Sequence, residues 1–531
     1  MLEAYSMSIK LNCFLLFLCF FTSCIKTPSS STTLRISFSS YPITVDPTKS
    51  ADFISSSLIC LLYEGLTRSG PQEIITPALA YKIDISPEGT IYTFHLRKAF
   101  WTDGTSVKSA DFEQSWKQSI DPKTPSICSY LFFPIKNAKA YMQGKVDVSQ
   151  VGIKSIDPYT LRIELEKPTP YFLSLTAFPS FLPIPSHIKN TNQQLNQKLI
   201  SNGPFQIDKT QLNHEIILTK NKQFWNRNNI SLNAIHVSIL PDETTALQMF
   251  ERDQLDFIGG PLSPLPTDSL ENLQKRNLLK FIPMEASTFC TLNHQTFPFN
   301  NPSIRKAFYY AIDPELILQE TSKIGQILAK SPLPPTLFKK NYDVTAPILI
   351  HTEEAKKSLK KGLQELKISK CELNNMTLYH KQGADNQRLA QILQKNWEEK
   401  LGIHVNIQQL DSKNHLNKLH QKNYQLAVAS WICQFHDPIS LLERFDSNKN
   451  SKNYPGWENK EYSLLLEKAS QCLNLSEREN ILKEAEDLLS KDLAIIPLYH
   501  WTSPYLCHPR LEAIATTPTG GVLFDQFQMK N

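Results

Sequence analysis

The chain has 531 residues, 41% hydrophobic, 10% aromatic and 20% charged, and its 56 basic and 51 acidic residues leave a formal charge of +5. That length supplies about three or four domains' worth of polypeptide. The composition excludes a disordered chain, a collagen-like rod and a coiled coil, and the small, interspersed charge excess excludes nucleic acid as a partner. Only 16 glycines stand beside 34 prolines. No two of them are spaced G-x-G, and Pro71 follows Gly65 and Gly70 where a P-loop requires Lys, so neither nucleotide fingerprint is present. There is no C-x-x-C and no H-E-x-x-H, and His415 and His420 are wrongly spaced for one helical face. Neither a metal site nor a cofactor is expected.

At the N-terminus Lys10 precedes Leu11 to Phe21, which is apolar except for Asn12, and Thr22-Ser23-Cys24 follows. Residues 1–23 read as a signal peptide, too short for the about 20 apolar residues of a membrane span. Met7 to Lys10 would by itself form the charged n-region, which makes Met7 an alternative start. Small residues leading into Cys24 resemble the bacterial lipobox, although Phe21 replaces the usual Leu. The resemblance implies a diacylglycerol on Cys24, a bacterial membrane anchor and a body outside the cytoplasm. Residues 24–33, with polar Thr27 to Thr33, read as a flexible tether. Seven later cysteines (Cys60, Cys128, Cys290, Cys371, Cys433, Cys472 and Cys507) are an odd number, so at least one stays free or pairs between molecules.

Leu34 to Ser39 alternates as a strand, Asp46-Pro47 turns the chain, and Ala51 to Leu62 reads as a helix ending near Gly65. Tyr81 to Ile85 and Ile91 to Leu96 form a hairpin about Ser86-Pro87-Glu88-Gly89-Thr90. Trp101-Thr102-Asp103-Gly104 makes a tight turn, and Ser109 is placed to cap a helix running through Ile120. The strand period returns between Ile153 and Leu165. Pro168, Pro170, Pro179, Pro183 and Pro185 then mark an irregular stretch, before strands at Ile216–Thr219 and Ala234–Leu240 and a helix at Thr244–Arg252. From Asn301 onward helices at 303–311, 353–366, 386–401, 462–473 and 477–489 alternate with strands at Val405–Gln408, Gln425–Ser430 and Ala494–Tyr499, which describes an α/β lobe.

The order of landmarks resembles the extracytoplasmic solute-binding proteins of peptide ABC importers, the oligopeptide- and dipeptide-binding family. It rests on Leu62-Tyr63-Glu64-Gly65-Leu66, Trp101 to Gly104 with Asp111-Phe112, Val151-Gly152 with Ile156-Asp157, and Pro170-Tyr171-Phe172. Asn202-Gly203-Pro204-Phe205, Lys220 to Asn226, Phe299-Asn300-Asn301 with Arg305, and Trp431 with Asp437-Pro438 continue it. Each motif is weak alone, and their colinearity over nearly the whole mature chain carries the resemblance. One departure is Asp253-Gln254 before Leu255-Asp256, where relatives have a Gly in the turn.

The resemblance implies an α/β, three-lobed periplasmic-binding-protein-like fold with hinged closure over the ligand. Lobe I would use residues 34–76, 200–285 and 502–531, lobe II 77–199 and lobe III 286–501. It further implies a monomer that captures extended peptides and delivers them to an inner-membrane permease with ATPase subunits. The peptide would pair with the segment Gln425 to Asp437, Trp431 forming a pocket wall beside Cys433, Gln434 and Phe435. Relatives place an Asp three residues after this Trp to meet the ligand's ammonium, and some place an Arg at the Val428 position to meet its carboxylate. Here the first position is Gln434, which accepts a hydrogen bond but carries no charge. Three readings stay open: Gln434 accepts a free amine with weaker discrimination, Asp437 or Glu64 supplies the anion, or the ligand is a murein peptide, a blocked peptide or a non-peptide solute. The resemblance also suggests a Cys290–Cys433 disulfide, with two reduced buried thiols as the alternative. A secreted hydrolase is the competing class. No G-x-S-x-G occurs, and Glu164 with Glu166 reads as a solvated strand face rather than a catalytic pair.

Overall fold

A computed structural model describes residues 32–530 except 51, 71–73, 189–194, 196–197, 322–324, 339–350 and 518. The expected signal peptide, Cys24 and the tether up to residue 31 lie outside the described residues. Thr33, expected at the end of the tether, already belongs to the first strand, Thr33–Phe38. Among the described residues no helix is long and apolar enough to cross a membrane.

An eleven-stranded mixed sheet is the backbone of the molecule. Thr33–Phe38 lies parallel to Ala234–Ile239 in register Ile36↔Val237, and Glu215–Lys220 and Phe205–Gln211 extend that edge antiparallel. On its other side Ile36 meets Phe257, and Phe257–Gly259 pairs with the end of the long strand Ile496–Cys507. Beyond it come Lys280–Leu292, Leu426–Ile432, Met376–Lys381 and Val405–Leu410. The two long strands pair Pro283 with Thr502 but Ser287 with His500, so the register shifts at Met284–Ala286. Pro283 withholds a donor and the bulge bends the ladder there. Sequence reading missed Lys280–Leu292 because Pro283 and Glu285 interrupt its apolar pattern, and it began the last strand at Ala494 rather than Ile496 and ended it at Tyr499 rather than Cys507.

A separate four-stranded sheet contains the expected hairpin, Ala80–Ile85 with Ile91–Leu96, followed by Thr160–Glu164 and Ile153–Asp157. The helix Ser109–Ser119 is seated beside it by Phe112 and Trp116, both fully buried, each such aromatic contributing roughly 1.5–3 kcal/mol. Its start differs from the expectation: Lys108 is the capping residue, and Asp111 accepts the Lys108 N–H at 2.8 Å. Asp111 also accepts from Trp101 Nε1 (3.1 Å) and the Ser186 N–H (2.9 Å), so a buried acid fixes a turn, a helix start and a distant loop.

Two further landmarks have a physical reason. Asn202 Oδ1 accepts the Glu64 N–H and its Nδ2 donates to the Glu64 carbonyl, each at 3.1 Å, while the Gly203 N–H donates to the Leu62 carbonyl. A Cβ on Gly203 would lie 2.5 Å from main-chain atoms of Leu62 and Tyr63. At the departure from the family pattern, Asp253 itself takes the left-handed conformation (φ +57) that the missing Gly would adopt.

Candidate functional site

The strand Leu426–Ile432 is a wall with one free edge. Toward Lys280–Leu292 it is paired throughout, from Ala286↔Ile432 to Leu292↔Leu426. On the opposite side Met376–Lys381 pairs with it only at Leu426 and Ala427. Among the described residues, therefore, Val428 to Ile432 has no strand partner on that side, and its edge is open to an added strand.

Behind this edge Trp431 is 5% exposed, with Phe289, Phe445 and Tyr454 at centroid distances of 4.5, 4.9 and 5.5 Å and the Arg444 guanidinium 5.1 Å over its ring. In this conformation it braces the strand and leaves no open face for a pocket. Arg444 donates to the carbonyls of Ile432 (3.1 Å) and Ser440 (3.2 Å), which anchors the loop leaving the strand.

That loop carries the remaining expected residues. Cys433 is buried, its N–H donating to the Glu285 carbonyl at 2.8 Å, and burial pushes its thiol up well above the usual range. Cys290 lies opposite Val428, five residues back along the same strand. Five residues of strand span about 16 Å, far beyond the reach of a disulfide, whose Cα atoms lie within about 7 Å. The suggested bridge is thus replaced by its alternative, two buried thiols, and Cys290 and Cys433 are both free.

Gln434 points at the opposite wall. Its Nε2 donates to the Tyr130 hydroxyl, and its N–H donates to Ser440 Oγ at 3.1 Å. Burial holds Tyr130 up at about 12, a neutral hydroxyl at working pH. The Lys452 ammonium sits 4.4 Å from the centroid of the Tyr130 ring. Phe435 stacks on Tyr171 at 4.9 Å with planes 9° apart. His436 Nδ1 lies 2.5 Å from Glu285, whose side chain is fully buried.

Asp437 is committed elsewhere: Arg478 holds it with two bonds of 2.6 and 2.8 Å, and it accepts the Ile439 N–H at 2.9 Å. The proposal that it supplies a free anion to a ligand meets a carboxylate already neutralised. Glu64 belongs to a different cluster and is not brought to Gln434. It is 4% exposed, 3.5 Å from Arg68, which also pairs with Asp525 at 2.5 Å. Burial raises the Glu64 carboxyl to about 7 despite Arg68.

The structure thus brings Gln434 against Tyr130, 304 residues away in sequence, and Phe435 against Tyr171. Sequence reasoning missed Tyr130, Lys452, Arg444, Arg478, Glu285 and His436. None sits in a spaced motif, and only the fold brings them together. Among the described residues no three His, Cys, Asp or Glu side chains converge as a metal site.

The family model for bacterial extracellular solute-binding proteins, family 5, matches residues 75–453. The chain belongs to this family. It is 32% identical to the oligopeptide-binding protein OppA of Bacillus subtilis, over 94% of this chain and 93% of that protein. It is 28% identical to the dipeptide-binding protein DppE of the same organism, over 93% and 91% of the two chains. Among solved structures, the unliganded open form of the murein tripeptide-binding protein MppA matches with a TM-score of 0.82 at 24% identity, over 95% of this chain and 98% of that one. A Borrelia burgdorferi oligopeptide-binding protein matches at 0.74 and 26%, over 94% and 100%. The fold is that of the periplasmic peptide-binding proteins.

Proposed function

We propose that the chain is an extracytoplasmic receptor that captures oligopeptides and delivers them to an ABC importer, acting as a monomer tethered to the membrane through lipid on Cys24. The observation that carries this reading is the free edge from Val428 to Ile432, beside a loop that touches the opposite wall through Gln434 and Phe435. An extended peptide laid along that edge gains the same main-chain hydrogen bonds whatever its sequence. Lobe I is assigned to 34–76, 200–285 and 502–531, lobe II to 77–199 and lobe III to 286–501. The register shift between Pro283 and Ser287, opposite Thr502 and His500, supports a hinge at the 285/286 and 501/502 junctions.

A second reading, a receptor for murein peptides or other ligands without an ordinary N-terminus, is favoured by one observation: position 434 is an uncharged Gln and the nearby Asp437 is neutralised by Arg478. Calorimetric titration of the mature protein with defined peptide pools, free-amine and murein-derived, tests both. Saturable binding with the peptide recovered intact is expected, and cleavage of the peptide would move the protein to the hydrolase class. No saturable binding by any pool would refute the receptor reading.

A further inference from the structure

The charges gathered around Gln434 do not suit an ammonium group. Asp437 is held by Arg478 and Glu285 by His436, so these two acids are spoken for. Two cations and one acid remain in the cluster: Arg444, Lys452 and Glu443. Arg444 spends its guanidinium on the Ile432 and Ser440 carbonyls. Lys452 has no carboxylate within 4 Å among the described residues, and its ammonium rests on the Tyr130 ring at 4.4 Å. Beside position 434, where the family resemblance leads one to expect an Asp and hence a negative charge, the structure puts an uncharged Gln and, over the Tyr130 ring, the Lys452 ammonium. The polar groups of this cluster can all donate: Gln434 Nε2, the Lys452 ammonium, and the Tyr130 hydroxyl, which accepts from Gln434 and keeps its own proton to give. Burial and the neighbouring Arg444 weaken the hold of Lys452 on its proton, and Glu443 offsets them only in part.

We infer that the Gln434–Tyr130–Lys452 cluster is a subsite for an anionic group, a carboxylate carried by the end of the bound peptide, with Lys452 as its counter-ion. This rests on the reading of the cleft as a peptide site and names the class of peptide it selects: acidic or N-blocked at that end. A ligand carboxylate entering here displaces the Gln434–Tyr130 hydrogen bond and accepts from both groups, while Lys452 supplies the charge. A free ammonium would meet the Lys452 cation, with the neutral Gln434 Oε1 and Tyr130 hydroxyl oxygens as acceptors. Glu443 is the acid that could reverse this assignment, and it is included in the test for that reason.

The experiment titrates the full mature protein with six tetrapeptides: Glu-Ala-Ala-Ala, Ala-Ala-Ala-Ala and Lys-Ala-Ala-Ala, each with a free and an acetylated N-terminus. The wild type is expected to bind the acetylated Glu peptide tenfold or more tighter than the free Lys peptide, about the worth of one charge-assisted bond. Lys452→Met should erase that preference. Lys452→Arg should restore it, and raising the salt should shrink it. Circular dichroism of each variant establishes that it is folded. A wild-type preference for free-amine neutral peptides that Lys452→Met leaves in place would overturn the inference while leaving the receptor reading intact. So would loss of free-amine binding in Glu443→Gln, which would make Glu443 the ammonium acceptor. Failure of the folded wild type to bind any of the six would overturn both.

Discussion

Replacing Arg478 by Met removes one partner of a buried pair and leaves Asp437 behind. The two side chains are 6% and 11% exposed and joined by bonds of 2.6 and 2.8 Å, and Arg478 Nε also donates to the Ala469 carbonyl at 3.2 Å. Stranding one charge of such a pair costs about 3–5 kcal/mol. How far the melting temperature falls depends on what unfolds together. At ~2.1 cal/mol/K per residue, a lobe of roughly 200 residues melting alone has an unfolding entropy of about 0.4 kcal/mol/K, and the variant melts about 7–12 °C lower. If the whole chain melts as one unit, the same loss is about 3–5 °C. Scanning calorimetry of the wild type, Arg478→Met and the double variant Asp437→Asn/Arg478→Met separates these cases. The double variant should recover most of the loss, because both charges are then gone. The single variant also frees a carboxylate three residues from Gln434, so free-amine peptides should bind it more tightly than the wild type. A single variant that melts within 1 °C of the wild type would refute the reasoning, since Asp437 would then not depend on Arg478.

Four other outcomes follow from the same structure. Asp256 is fully buried between Arg35 and Arg510, and these bonds hold its carboxyl below the usual 3.8; its contribution is present above about pH 4 and is lost as pH falls through the folded value. Asp256→Asn should therefore melt lower at pH 7, by about 3 kcal/mol, and the gap to the wild type should close in acid melts. Glu64 has the opposite sign: with its carboxyl raised to about 7, stability falls as pH rises from about 4.5 to about 7, by about 3 kcal/mol at 1.36 kcal/mol per unit. Glu64→Gln should flatten that slope between melts at pH 5 and pH 8. Gly203→Ala drives a Cβ into the main chain of Leu62 and Tyr63, which cannot swing aside as a flexible side chain would, and should give little or no folded protein by size-exclusion chromatography. Finally, the seven cysteines of the described residues are all free, so unfolding in denaturant without reductant should expose seven alkylatable thiols by mass spectrometry; five would mean a disulfide.

Local elements were legible where period and punctuation agreed. The Ile91–Leu96 strand shows its alternation in burial, with Tyr92, Phe94 and Leu96 all inside. The helix over Ala384–Leu401 carries its apolar stripe Leu389, Leu393, Trp397 and Leu401, and ends on Gly402 in the left-handed conformation. The strand Lys280–Leu292 was illegible because it runs from one half of the sheet to the other and carries Pro283 and Glu285 at its bulge, where strand pattern is least expected. The candidate site was legible only on the chain segment that carries it. Gln434 and Phe435 could be named from their place after Trp431, but Tyr130 meets Gln434 from 304 residues before it, and Lys452, 18 residues after Gln434, lies over the Tyr130 ring; no local pattern encodes such a meeting. The partner of Asp437 was illegible for the same reason: Arg478 lies 41 residues downstream, on the helix Leu475–Lys491.

A receptor that binds through a strand edge has its affinity and its selectivity in different places. On the proposed reading, the edge from Val428 to Ile432 offers main-chain bonds that every extended peptide satisfies equally, and discrimination comes from groups at the ligand's ends. Here those groups already touch each other, through the Gln434–Tyr130 hydrogen bond and the Phe435–Tyr171 stack. A ligand therefore competes with contacts that hold the walls together without it, and it shifts the population toward closure only by the difference between what it brings and what it displaces. A neutral end offers a hydrogen bond for a hydrogen bond and gains little. On the inference drawn above, an anionic end replaces the Gln434–Tyr130 bond with two charge-assisted ones and brings a carboxylate to Lys452, so charge at that end, more than sequence along the strand, would decide which peptides close the clamp.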